Sequence, residues 1–271
     1  MSKLEELKKL REQLEVEIKG KDNFPKDAPS IIISNHNRLM DIFYLPMAFD
    51  EDIISLVSAR LVYKQDMNRL KYVNKYLNAF PIEAHGGKDY SKLCLETASS
   101  FLAKNLSLSI WPEGAYIDDT SHVYKGRTGA ARILFNALNN GCYGYLLPVS
   151  IDISSSDDLD NYVPNFEDRV RININEPILP DEYYYNFKNS FSKQERNSIL
   201  HEITTDGMKQ ITKSLGREYI DEYIELYPKG NVIFSDGSTV DVKEANNSHY
   251  IDRYNKDLKQ LSMKLVKDLQ G

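Results

Sequence analysis

Short apolar segments alternate with longer amphipathic ones from residue 30 onward, and this alternation constrains the fold more than any other feature of the chain. The short segments have the length and composition of buried strands, and they lie at 31–33, 53–58, 79–83, 106–111 and 145–151. The segments between them have helical spacing of apolar residues, over 41–49, 66–78, 90–104 and 128–140. The alternation predicts an α/β fold with a mostly parallel central sheet flanked by helices.

Both ends of the chain differ from this central pattern. Leucines at spacings of three and four predict an amphipathic helix in residues 1–22. Because its polar face mixes charges of both signs, we expect it to pack on the protein body or on a partner helix rather than on lipid. The main domain is predicted over 23–215, and it includes an exposed strand at 169–174. A helix is predicted over 194–226, across the end of this domain. Residues 216–271 are predicted as an extension with an Asp-Gly hairpin and a final helix.

Composition narrows the classes of partner. The net charge of −6 argues against a nucleic-acid partner, and residues 1–150 are nearly neutral, with 19 Lys and Arg against 18 Asp and Glu. Two cysteines fit a reducing cytoplasm and exclude a cysteine-rich metal site. The sequence contains no apolar run of membrane-spanning length and begins with too many charges for a secretory signal.

The stretch from Asn35 to Asp41 lies where a buried strand ends and a helix begins, which is where open α/β sheets hold ligands. His36 and Asp41 are spaced so that the carboxylate can fix the imidazole tautomer and stabilise its protonated form. The same residues would also fit a histidine at a helix start and an aspartate near its positive end.

Two further stretches follow strands in the same way. Glu113 and Gly114 close Trp111-Pro112-Glu113-Gly114, where a carboxylate and close backbone approach suit a ligand site, although an ordinary turn explains the string as well. Lys125 and Arg127 begin a glycine-bearing basic helix start that fits either an anion site or solvated cations.

Taken in order, these stretches resemble the glycerolipid acyltransferase family, the 1-acylglycerol-3-phosphate acyltransferases of the PlsC-like fold. Asn35-His36 through Asp41 is similar to the family's His-x4-Asp block, and Trp111 to Gly114 is similar to its Phe-Pro-Glu-Gly block. Leu147 to Ile151 resembles its strand with a central proline, and Asn175 to Ile178 resembles its late Gly-Glu-Pro-Ile turn. The resemblance covers about residues 28–215.

The resemblance implies an acyltransferase of lipid metabolism and phospholipid biosynthesis that uses an acyl carrier protein or coenzyme A thioester. His36 is then the general base and Asp41 orients it, without a covalent acyl-enzyme, a metal or another cofactor. The expected substrate-binding residues follow from the same blocks and from the basic helix start: Asn37, Arg38, Glu113, Gly114, Lys125 and Arg127.

Two departures from the family pattern concern the acceptor. Phosphate-binding arginines are expected near the stretch 80–85 and two residues beyond Gly114, but the sequence has Ala84 and Tyr116 there. Since an arginine fork is hard to replace as a phosphate ligand, another alcohol or an amine is nearly as well supported as 1-acylglycerol-3-phosphate.

The basic segment 60–75 fits docking of an acidic carrier protein, and it fits a solvated helix face as well. We expect a cytoplasmic protein, alone or in peripheral contact with the inner face of the membrane. Two other functions use the same residues: a non-catalytic module that binds acyl chains or carrier protein, and a thioester hydrolase with water as acceptor.

Overall fold

The computed structural model describes residues 2–63, 67–82, 88–115, 119–154, 168–224, 231–245 and 247–270. Within these ranges the central sheet has seven strands, in the order β1-β8-β7-β2-β5-β3-β4. The strands of this sheet are β1 Glu15–Lys19, β2 Ser30–Ser34, β3 Ile54–Ser58, β4 Asn78–Ile82, β5 Leu108–Ile110, β7 Tyr145–Ser154 and β8 Arg169–Ile174. All neighbouring pairs are parallel except β7 and β8, so the predicted mostly parallel α/β fold is confirmed.

Two small sheets and a set of helices complete the described part of the chain. Strand β6 His122–Tyr124 pairs in parallel with β9 Glu218–Ile220, and β10 Asn231–Ile233 forms a hairpin with β11 Thr239–Asp241. The helices are α1 Lys3–Glu12, α2 Asp41–Tyr44, α3 Ala59–Tyr63, α4 Met67–Tyr76, α5 Lys88–Leu102, α6 Gly129–Asn139, α7 Asp181–Asn189, α8 Lys193–Leu215, α9 Val242–Ala245 and α10 Ser248–Gln270.

Strand β2 shows why the central strands read as continuous apolar runs. All five of its residues are buried, because helices cover both faces of the sheet. Ile31 and Ile33 lie in a core cluster with residues of α5, α6, α8 and α10, while Ile32 lies in a second cluster with residues of α1, α2 and α4. The site loop that follows β2 therefore starts from a strand that is fixed on both sides.

The N-terminal segment corrects one prediction. A capping box between Ser2 and Glu5 begins α1, but the helix ends at Glu12, and residues 15–19 form β1 beside β8. Val16 and Ile18 alternate with charged residues, and this period of two suits a sheet edge better than a helix. Leu7 and Leu10 are buried in the second core cluster, which confirms that the shorter helix packs on the protein body.

One helix ends earlier than predicted, and one predicted strand has a neighbour on each edge. The helix expected over 194–226 ends at Leu215, because Gly216 adopts a left-handed conformation with φ of 66° and stops it. The strand predicted at 169–174 is present and alternates as predicted, with Arg169 and Arg171 exposed, and it pairs on both edges. The hairpin and the final helix of the extension are present as predicted, and Tyr254 and Leu258 of α10 are fully buried.

Candidate active site

The loop of residues 35–40 leaves the carboxyl end of β2 and leads into α2, so the predicted dyad lies at the edge of the sheet where ligands are expected. Nδ1 of His36 is 3.2 Å from Oδ2 of Asp41. The same carboxylate oxygen accepts the backbone N–H of Arg38 at 3.0 Å. Asp41 is 1% exposed and His36 is 14% exposed, so the dyad is largely shielded from water. The contact between Nδ1 and the carboxylate fixes the orientation of the ring.

Glu113 is buried against this loop, and its expected role in shaping the substrate site stays a prediction. Its side chain is 1% exposed, and its two oxygens accept the backbone N–H groups of His36 at 2.7 Å and Tyr124 at 2.9 Å. Burial raises the pKa of the Glu113 carboxyl to about 7, although both backbone hydrogen bonds favour the charged form. Glu113 therefore connects the loop of residues 35–40 to β6.

Trp111 and Gly114 stand on either side of Glu113 in the same block, and Trp111 lies close to the dyad while Gly114 forms the turn. The indole ring of Trp111 lies 5.4 Å from the His36 ring, centroid to centroid, and forms one wall of the dyad. Gly114 has φ of 84°, a conformation that side chains other than glycine rarely adopt, and its N–H donates to the Trp111 carbonyl at 3.1 Å. The sequence explains Gly114 by close backbone approach, and the structure shows the tight turn that requires it.

Both asparagines that flank His36 are held by side-chain hydrogen bonds. The Asn35 amide is fully buried and exchanges two hydrogen bonds with the backbone of Ile151, at 2.8 and 2.9 Å. Asn37 donates to the carbonyl oxygen of Asp119 and accepts from Nδ2 of Asn35 at 2.6 Å. Asn37 also accepts from Nη1 of Arg217 at 2.6 Å. Asn37 is thus buried and held by three hydrogen bonds, and its expected role in substrate binding stays a prediction.

Arg217 was not singled out from the sequence. It follows the glycine that ends α8, a position with no motif and 180 residues beyond Asn37. Its second guanidinium nitrogen, Nη2, donates to Oδ1 of Asp152 at 2.8 Å, and only 8% of its side chain is exposed. Arg171 contacts the other oxygen of Asp152 from β8. No local pattern in the sequence identifies Arg217. It reaches the loop only because β9, which begins at the next residue, pairs with β6.

A cleft of about 620 Å³ opens beside the loop. Arg38, predicted to bind substrate, lines it together with Arg217, and two carboxylates, those of Asp152 and Glu218, line it as well. The remaining lining residues are mostly small or polar: Thr120, Ser121, Ile153, Ser154, Leu215 and Gly216. Among the described residues that line the cleft, two cations and two carboxylates balance in charge.

Lys125 and Arg127 do not join this cleft lining. The Lys125 ammonium pairs with Asp221 at 2.9 Å, and Nη2 of Arg127 donates to the carbonyl oxygen of Ile224 at 2.9 Å. Both cations also lie over the ring of Tyr223. These contacts attach residues 221–224 to the helix start, and the expected role of both cations in substrate binding stays a prediction.

Several sequence features lie partly outside the described residues. Tyr116, and the stretch 83–85 with Ala84, stand where the family's phosphate-binding arginines are expected, and they fall outside it. In the basic segment, Lys64 and Asp66 are also outside, while Arg60 and Lys71 are exposed. Lys75 is paired with Glu6 at 3.2 Å.

Neither a membrane-spanning helix nor a group of metal ligands occurs within the ranges that the structure describes. Among the helices in the described part of the chain, none is long and apolar enough to cross a membrane. In those same ranges no three His, Cys, Asp or Glu side chains are grouped as metal ligands. The expectation of a reaction without metal or cofactor stays a prediction.

Comparisons with known proteins identify the family. The crystal structure of the 1-acyl-sn-glycerophosphate (LPA) acyltransferase, PlsC, from Thermotoga maritima is similar at a TM-score of 0.47 and 22% identity, over 77% of this chain and 79% of that chain. A search of curated proteins found no match. A family model for acyltransferases matches residues 15–152, from β1 into β7, which is 138 of the 271 residues and includes the His36–Asp41 block. The chain therefore belongs to the acyltransferase family.

Proposed function

We propose that this chain transfers a fatty acyl group from an acyl carrier protein or coenzyme A thioester to an acceptor hydroxyl, with His36 as general base. Membership of the acyltransferase family supports acyl transfer. The observation that carries the assignment of the base is the contact of 3.2 Å between Nδ1 of His36 and Oδ2 of Asp41, at the carboxyl end of β2.

The proposed reaction needs one base and no covalent enzyme intermediate. Nε2 of His36 accepts the proton of the acceptor hydroxyl while that oxygen attacks the thioester carbonyl carbon. The imidazolium is stabilised by the Asp41 carboxylate. Collapse of the tetrahedral intermediate breaks the carbon–sulfur bond, and the leaving thiolate takes the proton back from His36. The products are the acylated acceptor and the free thiol.

Two backbone amides of the loop are already engaged. The His36 N–H donates to Glu113 and the Arg38 N–H donates to Asp41, at 2.7 and 3.0 Å. Neither points a free donor at a developing oxyanion, which needs donors about 3 Å from the charged oxygen. We therefore assign these two amides to holding the loop and not to an oxyanion hole.

The charge balance of the cleft bears on the acceptor. A phosphate monoester would be favoured by an excess of cations, but Asp152 and Glu218 offset Arg38 and Arg217, and Arg217 is paired with Asp152. This supports an alcohol or amine acceptor without net charge. The second candidate is 1-acylglycerol-3-phosphate, which the two arginines at the cleft favour. The cytoplasmic location and peripheral membrane contact expected from the sequence stay predictions.

Replacing His36 with alanine tests the mechanism. We expect His36→Ala to lower the rate of acyl transfer by about 10²–10⁴-fold, the usual contribution of a general base. Unfolding should stay cooperative, since the ring lies at the edge of the core. His249→Ala is the matched control, because that histidine is exposed on α10. Turnover by His36→Ala at the wild-type rate would contradict the proposed base.

Product analysis separates the alternative functions. With an acyl thioester and an alcohol present, an O-acyltransferase yields ester, a thioester hydrolase yields free fatty acid at the same rate with or without the alcohol, and a binding module yields neither. A panel that includes glycerol 3-phosphate, 1-acylglycerol-3-phosphate and uncharged long-chain alcohols identifies the acceptor class.

A further inference from the structure

We propose that Arg217 is a positioning residue for the loop of residues 35–40. Its hydrogen bond to Asn37 holds the orientation of the neighbouring residue, His36. The inference deepens the proposed function, since it assumes that His36 is the base. It rests on a buried guanidinium that lies outside the segment matched by the family model, residues 15–152, and yet reaches the His36 block.

The contacts of Arg217 join two structural units. Nη1 donates to Oδ1 of Asn37 at 2.6 Å, and Nη2 donates to Oδ1 of Asp152 at 2.8 Å. Asp152 lies near the end of β7, and Asn37 lies in the loop after β2, so the fork spans two neighbouring strand ends. A planar guanidinium can donate to both oxygens at once, which a lysine ammonium at the end of a flexible chain does poorly.

Asn37 is the point where this fork fixes the loop. Asn35, on the other side of His36, is tied to the backbone of Ile151 by two hydrogen bonds and donates to Asn37 as well. With Arg217 on Asn37, the residues before and after His36 are both held by buried side chains. Without it, Asn37 would keep its contacts with Asn35 and Asp119 but lose its only charged donor among the described residues.

The backbone around Arg217 is itself fixed. Gly216 ends α8 in a left-handed conformation, and the Arg217 N–H donates to the Thr212 carbonyl at 3.1 Å. The next residue, Glu218, donates its N–H to the Ser121 carbonyl at 3.1 Å and opens β9, which pairs with β6. The backbone on both sides of Arg217 is therefore fixed, so little conformational entropy is lost when the guanidinium holds the loop during the reaction.

Two arginines on one carboxylate supply a matched pair of variants. Arg171 contacts Oδ2 of Asp152 and is 59% exposed, while Arg217 contacts Oδ1 and also Asn37. Arg217→Ala and Arg171→Ala therefore change the net charge equally and each remove one cation from Asp152. Only Arg217→Ala releases Asn37.

Steady-state kinetics of the two variants test the proposal. Arg217→Ala should lower kcat by about 100-fold, the scale of a misplacement of about 1 Å at the reacting groups, with KM for the thioester unchanged. Arg171→Ala should keep kcat within about twofold of wild type, as expected for an exposed ion pair. Arg217→Lys should recover part of the loss. Equal losses in both alanine variants, or a raised acceptor KM with kcat unchanged, would overturn the positioning role.

A second readout is independent of activity. In protein labelled with ¹⁵N-histidine, Arg217→Ala should shift or broaden the ring signals of His36, assigned by their absence in His36→Ala, while Arg171→Ala leaves them in place. If the wild type transfers no acyl group, the proposed function fails and this measurement still decides the inference. Unchanged His36 signals in folded Arg217→Ala would overturn it.

Discussion

Replacing Glu113 with glutamine should make the stability of this protein less dependent on pH. Burial raises the pKa of the Glu113 carboxyl from 4.5 to about 7. Between these values the folded state keeps the proton that the unfolded state has released, so the free energy of unfolding falls as pH rises through this window. A change of this size in pKa corresponds to about 3 kcal/mol, fully expressed above about pH 7.

Glutamine removes this titration and resembles the protonated acid in shape. It supplies one carbonyl oxygen for two backbone donors, the N–H groups of His36 and Tyr124. The unpaired donor costs about 1–3 kcal/mol, and that cost is the same at every pH. Glu113→Gln therefore has two effects on the plot of unfolding free energy against pH. The lost hydrogen bond lowers the free energy equally at every pH, and the lost titration reduces its slope. Only the change in slope depends on the pKa of Glu113.

Urea denaturation of both proteins at intervals from about pH 5 to about pH 8 measures this effect. The difference in unfolding free energy, variant minus wild type, should rise by about 2 kcal/mol over that range, most of the full value. Glu195→Gln is the matched control. Hydrogen bonds from the backbone of Ser192 and Phe191 lower the pKa of this exposed carboxyl, so its stabilisation is lost only as pH falls below the range measured. A Glu113 difference that stays flat within about 0.5 kcal/mol would refute the raised pKa.

Two further predictions concern the packing around Gly126 and the recognition of the acyl donor. A Cβ on Gly126 would lie 2.9 Å from side-chain carbons of both Pro112 and Thr204, so Gly126→Ala should destabilise the protein by about 1–3 kcal/mol, measured as a shift of the urea midpoint at unchanged slope. A midpoint equal to wild type would show that the neighbours move at no cost. Lys71 is exposed on α4, so Lys71→Glu should raise KM for an acyl carrier protein thioester several-fold while leaving KM for a coenzyme A thioester unchanged. If Lys71→Glu leaves the KM for the carrier-protein thioester unchanged, Lys71 does not take part in docking.

The sequence predicted most of the core elements because their signals are local. The run Ile31–Ile33 is apolar on both faces and forms the buried strand β2, and the Asp-Gly turn forms the hairpin of β10 and β11. Where two periods fit one stretch, local reasoning failed. Ile18 continues the helical stripe four residues after Leu14, but it also alternates with Val16 as in a strand, and pairing with β8 decided between the two periods.

The candidate site divides in the same way. His36 and Asp41 are five residues apart, and a strand end followed by a helix start brings them together without help from the rest of the chain. Glu113 is 77 residues from His36, and its contact with the loop depends on β2 and β5 lying side by side. Lys125 and Arg127 fit either an anion site or solvated cations from the sequence. In the structure Lys125 pairs with Asp221, and Arg127 donates to the carbonyl oxygen of Ile224.

The sequence by itself determined the fold class, the family and the dyad, because periodicity, strand ends and short spacings are properties of neighbouring residues. Only the tertiary structure decided which side chains hold that dyad and what charge the cleft carries. Arg217 reaches Asn37 across 180 residues, and Asp152 and Glu218 offset the two cleft arginines. Contacts of this kind follow from strand order and helix ends meeting in space, and no spacing along the chain records them.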